Sequence, residues 1–582
     1  MQQRDFISNL PRIYGMYTGG FLAFVVLLAI LEQMGMPNVV IGYIFMAATI
    51  GLYAMIGIMS RTGLADEYYV AGRKVPAIFN GMATGADWMS AASFIGMAGT
   101  LYAQGYDGLA FVMGWTGGYV LVALFLAPYL RKFGAYTIPD FLGERYGGHS
   151  ARVIGILAAI TASFTYVIAQ ITGAGIIVSR FLEVPFAVGV FAGLAGILVC
   201  SMLGGMRAVT WTQVAQYIIL IIAYLVPIVW LSYVLTGVPI PQLMYGEALQ
   251  EIVQLEQQLG VTKSHVAPFV LNDRANFIAL TFCLMVGTAA LPHILMRYYT
   301  TPSVREARAS VGWSLFFIFL LYFSAPAYAA FAKLEVYKNV VGLPIAELPA
   351  WVASWSKVGL VAIKDLNGDG ILQLAELTIN SDAIVLATPE IAGLPYVIAG
   401  LVAAGGLAAA LSTADGLLLT ISNALSHDLY YKIINPTAST AKRLLIARIL
   451  LVSVALVAAY AASLKPAGIL AIVAWAFSIA ASAFFPALVL GIFWKRANKV
   501  GAVTGMLVGF GVCLFYLIGV QFMGMAPWFG IKAISAGTYG IPAGFITIIV
   551  VSLLTAAPGR EIQQLVERVR YPRLEEDPAP MK

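Results

Sequence analysis

A chain of 582 residues that is 60% hydrophobic and only 11% charged has too little polar surface for a water-soluble domain, where about a quarter of residues are charged, so lipid must be its solvent. Its net charge of +6 is spread over many short loops, which excludes a nucleic-acid footprint. Cys200, Cys283 and Cys513 lie inside apolar runs, and only His293 of four histidines falls within a predicted span; this excludes a disulfide framework, a thiolate metal centre and bis-histidine haem.

Windows of about 19 residues predict an all-α integral membrane protein with about 14 transmembrane helices: 15–35, 38–60, 79–105, 109–130, 151–180, 185–205, 211–236, 276–299, 309–333, 395–424, 444–463, 466–493, 500–521 and 537–557. The first has no small-residue cleavage site behind it and reads as a retained helix. Even parity places both termini on one side. The loops of that side hold 25 of the 34 basic residues, from Arg4 and Arg12 to the tail beyond Arg560. By the positive-inside rule that side is cytoplasmic, and the expected location is the plasma membrane, a bacterial inner membrane. The long loops 237–275 and 334–394 then fall outside. The tail 558–582 is charged, helical at EIQQLVERV, and too short for a signalling domain.

Four spans break the rules of a lipid-embedded helix. In 79–105, Gly81, Gly85, Gly96 and Gly99 accompany Thr84, Asp87, Ser90 and Ser93. This composition permits a helix break that frees carbonyls to face an ion; a small-residue packing face is the alternative for the glycines, but a buried Asp87 is costly unless used. In 151–180 a polar stripe of Thr161, Ser163, Thr165, Tyr166, Gln170 and Thr172 suits a hydrated path or interhelical hydrogen bonding. In 276–299, Gly287, Thr288, Pro292, His293 and Arg297 gather near one end. Pro292 predicts a kink, Arg297 is expected to snorkel to the interface, and His293 is either a satisfied core histidine or a substrate contact. In 395–424, Ser412 and Thr413 are adjacent beyond Ala408, Ala409 and Ala410. Sodium wants about five or six oxygens, which hydroxyls and freed carbonyls supply without burying net charge, although a Ser-Thr pair alone more often bonds its own helix. Asp415 either tunes such a site or faces a cytoplasmic cavity.

The loop 334–394 contains DLNGDGILQLAE. Asp365, Asn367 and Asp369 take positions 1, 3 and 5 of an EF-hand-like calcium loop, with Gly370 at the sharp turn, the Ile371 carbonyl at 7, Gln373 at 9 and Glu376 at 12. Leu372 is an apolar anchor. The alternative is a solvated acidic loop held by Asx-turns.

The stretches DEYYVAGRKVPAIFNGMATGADWMSAASFIGMAG, YTIPDFLGERYG, GGMRAVTWTQVAQ, GTAALPHILMRYYT and LAAALSTADGLLLTISNALSHDLY resemble the sodium:solute symporter family, and LPHILMR resembles its acetate and monocarboxylate permease branch. The resemblance implies a leucine-transporter-type 5+5 inverted repeat. Two accessory helices would occupy 1–78, the repeats 79–236 and 276–493 with the loop 237–275 between them, two further helices 494–557, and the tail 558–582. It implies a co-transported Na+ on the carbonyls of Ala86, Met89 and Ala409 and the hydroxyls of Ser412 and Thr413. Two positions depart from the family pattern. Gln213 replaces an acidic residue that some members tie to a further cation, and Trp88 stands where some relatives carry aspartate, so Asp87 inherits no role.

The resulting expectation is a sodium-coupled symporter that imports a small organic solute by alternating access. The absence of Lys or Arg in mid-core favours a small monoanion such as acetate, lactate or pyruvate, or a neutral solute, contacted by Thr84, Trp88, Ser90, Gln170, Thr288 and His293. Ca2+ on the loop is expected to be structural. Rival readings are proton coupling through Asp87, with Asp415 as a further coupling candidate, or a non-transporting membrane sensor. An enzyme is least expected, since no metal cluster, nucleophile–base pair or phosphate loop appears. Beyond lipid and solute, a small membrane subunit is the one further partner expected, as relatives in this branch are sometimes encoded beside one.

Overall fold

Helix satisfies its own backbone in hydrocarbon, and the predicted spans are largely helical. The computed structural model describes residues 3–571; the end of the predicted tail, 572–582, lies outside the described residues, as do the side chains of residues 3–5, 199–201 and 203, Arg4 and Cys200 among them. The main elements are α1 (Leu10–Gln33), α2 (Asn38–Met59), α3 (Ala77–Trp88), α4 (Met97–Gln104), α5 (Leu109–Leu121), α6 (His149–Leu182), α7 (Phe186–Thr236), α8 (Arg274–Thr288), α9 (Val304–Tyr322), α10 (Tyr396–Asn423), α11 (Thr440–Ser463), α12 (Ile469–Phe493), α13 (Lys499–Phe522) and α14 (Gly537–Leu554).

Among the described residues, eleven helices are long and apolar enough to cross a membrane, or twelve when the bent pair Arg274–Thr288 and Pro292–Thr300, which turns by 42°, counts as one span. The count differs from the expected fourteen at two places. The stretch 79–105 splits: α3 is only 12 residues long, and its second half runs on through a tight turn at Gly105–Gly108 into α5. The stretch 185–205 supplies only a short apolar segment, Phe186–Leu198, the first part of α7, which kinks at Gly205 (φ 54°, ψ −142°) before running on to Thr236.

The helices are sorted by solvent. α10 is buried on all sides from Ala399 to Ala424 and packs chiefly on α6 and α7. α1 and α11 lie at the rim, leaving Val26, Leu27, Ile30, Leu445, Ile449 and Leu456 exposed, as a lipid-facing surface requires. Gly205 is a backbone position with little freedom: its φ is positive, and a Cβ there would stand 2.5 Å from the Tyr68 carbonyl oxygen.

The loop 334–394 is ordered. Strands β1 (Val361–Ile363) and β2 (Leu377–Ile379) pair antiparallel, with Val361 opposite Ile379, and flank DLNGDGILQLAE. Beyond β2, the turn Ser381–Ala383 is driven against α4 so closely that a Cβ on Gly99 would meet the Ser381 carbonyl oxygen at 1.8 Å. The loop 237–275 contains a helix, Pro241–Gln258, and is tied to the α4–α5 turn by Asp107, which accepts from the amides of Phe269, Leu271 and Asn272 at 2.7–2.9 Å. The expected tail helix spans Arg560–Arg570, and Arg570 donates to the Phe493 carbonyl at 3.0 Å.

Gly205→Ala is expected to cost about 1–3 kcal/mol through backbone strain and to lower the unfolding temperature in detergent. Gly511→Ala, where nothing lies within 4 Å, should leave it unchanged or raise it; equal effects would contradict the assignment of strain to Gly205.

Candidate functional site

The first break falls where the sequence is polar. The α3 bond Met89 N–H to Gly85 O, 2.8 Å, is its last. Met89 then turns to φ −75°, ψ 66°, and winding resumes as a wide turn over Ala92–Gly96. The glycines of this span sit outside the break and serve close packing: Gly81 faces Trp313, Gly85 faces Phe317 and Tyr217, and Gly96 and Gly99 face Asp382 and Ser381. The helix break and the small-residue packing face therefore both occur in this span, at different residues.

The freed carbonyls meet the α10 hydroxyls. Ser412 Oγ donates to the carbonyl oxygens of Ala86 at 2.7 Å and Ala409 at 3.0 Å, and Thr413 Oγ1 donates to the Asp87 carbonyl at 2.9 Å. Four of the five predicted oxygen donors, Ala86, Ala409, Ser412 and Thr413, thus share one buried point; Met89 stands at the break itself, one turn beyond Ala86.

The Asp87 side chain points the other way. Arg297 Nε donates to Oδ2 at 2.8 Å, and both side chains are fully buried. Gln213 lies between them: its Nε2 donates to Asp87 Oδ1 at 2.9 Å and to the Ser412 carbonyl at 2.7 Å, while its Oε1 accepts from Arg297 Nη2. Arg297 Nη1 also donates to Thr210 Oγ1 at 2.9 Å. Gly416 makes the space, since a Cβ there would come within 2.3 Å of Asp87 Oδ1. The expectations that Arg297 snorkels and that the mid-core holds no Arg are therefore overturned. The second break, at Ala289–Leu291, turns the chain inward, and the tight Met296–Thr300 turn that follows keeps Arg297 inside. Asp415, three residues after Ser412, is also fully buried.

On the opposite side of the break, Trp88 enters an aromatic cage. Its ring meets Tyr119 at 5.0 Å, Phe477 at 5.5 Å and Trp115 at 6.4 Å. Phe477 connects to Tyr166 at 5.8 Å, and Tyr166 to His293 at 5.5 Å. Gln170 closes the cage: its Oε1 accepts from the Ala91 amide at 2.8 Å. Among the described residues, five groups here are buried with no hydrogen-bond partner: Trp88 Nε1, Trp115 Nε1, Tyr119 OH, Gln170 Nε2 and both His293 nitrogens. Of the other predicted contacts, Ser90 lies buried at the break, while the Thr84 and Thr288 hydroxyls donate to their own helices, to Asn80 O and Leu284 O. Thr161, Thr165 and Thr172 of the α6 stripe do likewise.

The side chains of the loop turn onto its own backbone amides, as Asx-turns do. Asp365 accepts from the Gly368 and Gly370 amides at 2.7 and 3.1 Å, and Asn367 and Asp369 accept from Asp369 and Ile371. Gln373 donates to Asp369 Oδ2. Glu376, buried, accepts from Leu366 and Gln373 at 2.7 and 2.9 Å. Leu372 is fully buried, as an anchor should be.

A cluster not anticipated from sequence joins Asp140, His427 and Asp428, whose ligand atoms lie within 4.8 Å of one another. The winding of α10 continues as a wide helix to Ile434 and carries His427 and Asp428 with it. Arg443 Nη2 lies 3.0 Å from His427 Nδ1, which makes Nδ1 the acceptor and places the ring proton on Nε2, toward Asp140 at 3.8 Å. That tautomer, with Arg152 on Asp140 at 3.0 Å, fits an ion-pair lock and not a metal ligand.

A broken helix opposed to a hydroxyl pair, beside a sealed cage of unpaired polar groups, defines a polytopic membrane transporter. The chain matches the sodium:solute symporter family over residues 68–346 and 353–509, and it belongs to that family, whose members couple solute symport to sodium. It is 47% identical to an uncharacterized symporter of Cupriavidus necator, over 98% of this chain and 99% of the relative. It is 28% identical to the monocarboxylic acid transporter of Corynebacterium glutamicum, over 83% of each, and 30% identical to an uncharacterized symporter of Bacillus subtilis, over 80% and 84%. Its fold is shared with a Na+-coupled sialic acid symporter at a TM-score of 0.69 and 19% identity, over 89% of this chain and 98% of that one.

Asp87→Asn and Arg297→Gln are each expected to destabilise the protein by about 3–5 kcal/mol, because either leaves a buried charge unpaired. The double variant should cost clearly less than their sum. Additive losses in a thermal-unfolding cycle would show that the pair carries no coupling.

Proposed function

We propose that the protein imports a small monocarboxylate, of the acetate, lactate or pyruvate class, together with Na+. The observation that carries this reading is the cage of buried, unpartnered groups against the oxygen-rich break. Trp88 Nε1, Trp115 Nε1 and Gln170 Nε2 can only donate, and buried donors without acceptors are costly unless a ligand supplies them. A carboxylate offers up to four lone-pair sites on two oxygens, and its short apolar tail suits the faces of Phe477 and Tyr166. The monocarboxylic acid named for the Corynebacterium relative is of this class.

Sodium is assigned to the carbonyls of Ala86, Met89 and Ala409 and the hydroxyls of Ser412 and Thr413. Na+ there replaces the hydrogen bonds that the hydroxyls now donate, so the carbonyl of Ala86 and the ring of Trp88, two residues on, are set by one ion. Sodium binding thereby orders the cage wall before the solute arrives. We assign the chain fourteen spans, with both termini cytoplasmic and inverted repeats at 79–236 and 276–493; each repeat then opens on a broken helix. The cage residues Trp88, Trp115, Tyr119 and Gln170, the Ser412–Thr413 pair and Asp87 are all fully or almost fully buried, which supports an occluded conformation, from which either side opens by rocking. Proton coupling through Asp87 loses support, because its carboxylate is engaged by a guanidinium that does not titrate.

The ring at 365–376 is assigned a structural Ca2+. Asp365, Asn367, Asp369, the Ile371 carbonyl, Gln373 and Glu376 supply oxygens in EF-hand order, and the ion would clamp the β1–β2 hairpin that leads to the Ser381–Ala383 turn.

Proteoliposomes with an inward sodium gradient should accumulate radiolabelled acetate or pyruvate, and Ser412→Ala/Thr413→Ala should abolish accumulation; uptake without sodium overturns the coupling. Replacing Trp115 or Gln170 should raise KM at least tenfold with sodium binding kept. Isothermal titration of the whole protein should show calcium binding that Asp365→Ala/Glu376→Gln removes, and an absence of heat in the unaltered protein would end the calcium assignment.

A further inference from the structure

We propose that Arg297 is a tethered cation: it permanently occupies the place beside Asp87 that a second mobile ion would otherwise fill, so that each solute anion travels with one sodium and the cycle moves no net charge. The inference rests on the sodium-symport reading above and concerns its stoichiometry.

Four observations carry it. First, the Asp87 carboxylate and the Arg297 guanidinium are both sealed from solvent, and Asp87 stands next to the carbonyl that Ser412 holds. A carboxylate in that position is a cation site by its chemistry. Second, the position is built for a guanidinium. Nε meets Asp87 Oδ2, Nη1 meets Thr210 and Nη2 meets Gln213, so three separate nitrogens have three separate acceptors, a fork that neither a spherical ion nor a lysine reproduces. Third, Gln213 reads the charges on both sides. Its oxygen faces the cation and its amide nitrogen faces both Asp87 Oδ1 and the Ser412 carbonyl. A neutral amide in this bridge satisfies both members of an ion pair, whereas a carboxylate there would add a negative charge that only a further cation could balance. Fourth, the pair shares backbone with the hydroxyl site. Thr413 Oγ1 donates to the carbonyl of Asp87 itself, so two mobile cations would sit about one residue apart in a buried setting, where like charges repel strongly. A fixed guanidinium turned onto the carboxylate leaves the carbonyl side of Asp87 for sodium alone.

The pair also ties the two breaks together. Asp87 belongs to the first broken helix and Arg297 to the segment that follows the second, 210 residues apart. Because guanidinium stays charged at every accessible pH, the tie does not depend on proton supply.

The test is direct 22Na+ binding to the purified, detergent-solubilised protein, which needs no knowledge of the solute. The unaltered chain should bind one sodium per molecule with a Hill coefficient near one, and Ser412→Ala/Thr413→Ala should bind none. Arg297→Gln should gain a second, lower-affinity sodium, or a Hill coefficient rising toward two, and Asp87→Asn/Arg297→Gln should return to one. Two sodium ions in the unaltered chain, or a count unchanged in Arg297→Gln with the fold intact, overturns the tethered cation while leaving symport standing. No sodium at all overturns the symport reading itself. Should Arg297→Gln fail to fold, the unaltered protein decides: acetate uptake into proteoliposomes must then be indifferent to a valinomycin-imposed potential, and potential-driven uptake refutes the proposal.

Discussion

A helix interrupted inside hydrocarbon exposes amide and carbonyl groups that lipid cannot satisfy, at several kcal/mol each. The architecture answers that constraint at the first break group by group. The Ala86 and Asp87 carbonyls are met by Ser412 and Thr413, the Trp88 carbonyl by the Ser90 amide and the Ser93 hydroxyl, and the Ala91 amide by Gln170. Two answers come from α10, one from α6 and the rest from the broken span itself, so α6 and α10 are held in register with the break by the polar groups it frees. The apolar helices around them are packed for shape, whereas these few are packed for hydrogen bonds.

Charge follows the same logic. Asp87 would be untenable alone, and its partner arrives from the second break. One irregular segment therefore supplies the charge that makes the other tolerable, and Gly416 supplies the volume. The aromatic cage lies on the other side of Trp88, so the residues Ala86, Asp87 and Trp88 face three different neighbours: the α10 hydroxyls, the Arg297 guanidinium and the cage.

The broken helix and the adjacent Ser412–Thr413 pair were legible in sequence, because each is a local pattern whose meaning is set by spacing along one segment. Arg297 was not. An arginine near the end of an apolar run reads as a snorkelling side chain, and only the second break, which turns the chain inward, keeps it from the interface. Tyr119, Trp115 and Phe477 were equally silent, since an aromatic on a lipid face and one on a cage wall look identical until helix rotation is known. The Asp140–His427–Asp428 cluster lay in quoted motifs, but its assembly joins positions 291 residues apart at Thr137 and Asp428, a pairing that no spacing rule reaches. Thr84 and Thr288 show the converse: polar residues at plausible positions that serve their own helices.

The contact between Gly99 and the Ser381–Ala383 turn makes the loop a mechanical end stop. With the Ser381 carbonyl where a Cβ would be, the seated position of the turn exists only for a residue without a side chain. Bulk added at that single residue would have to push the turn away, and the β1–β2 hairpin, joined to the turn by one residue, with it.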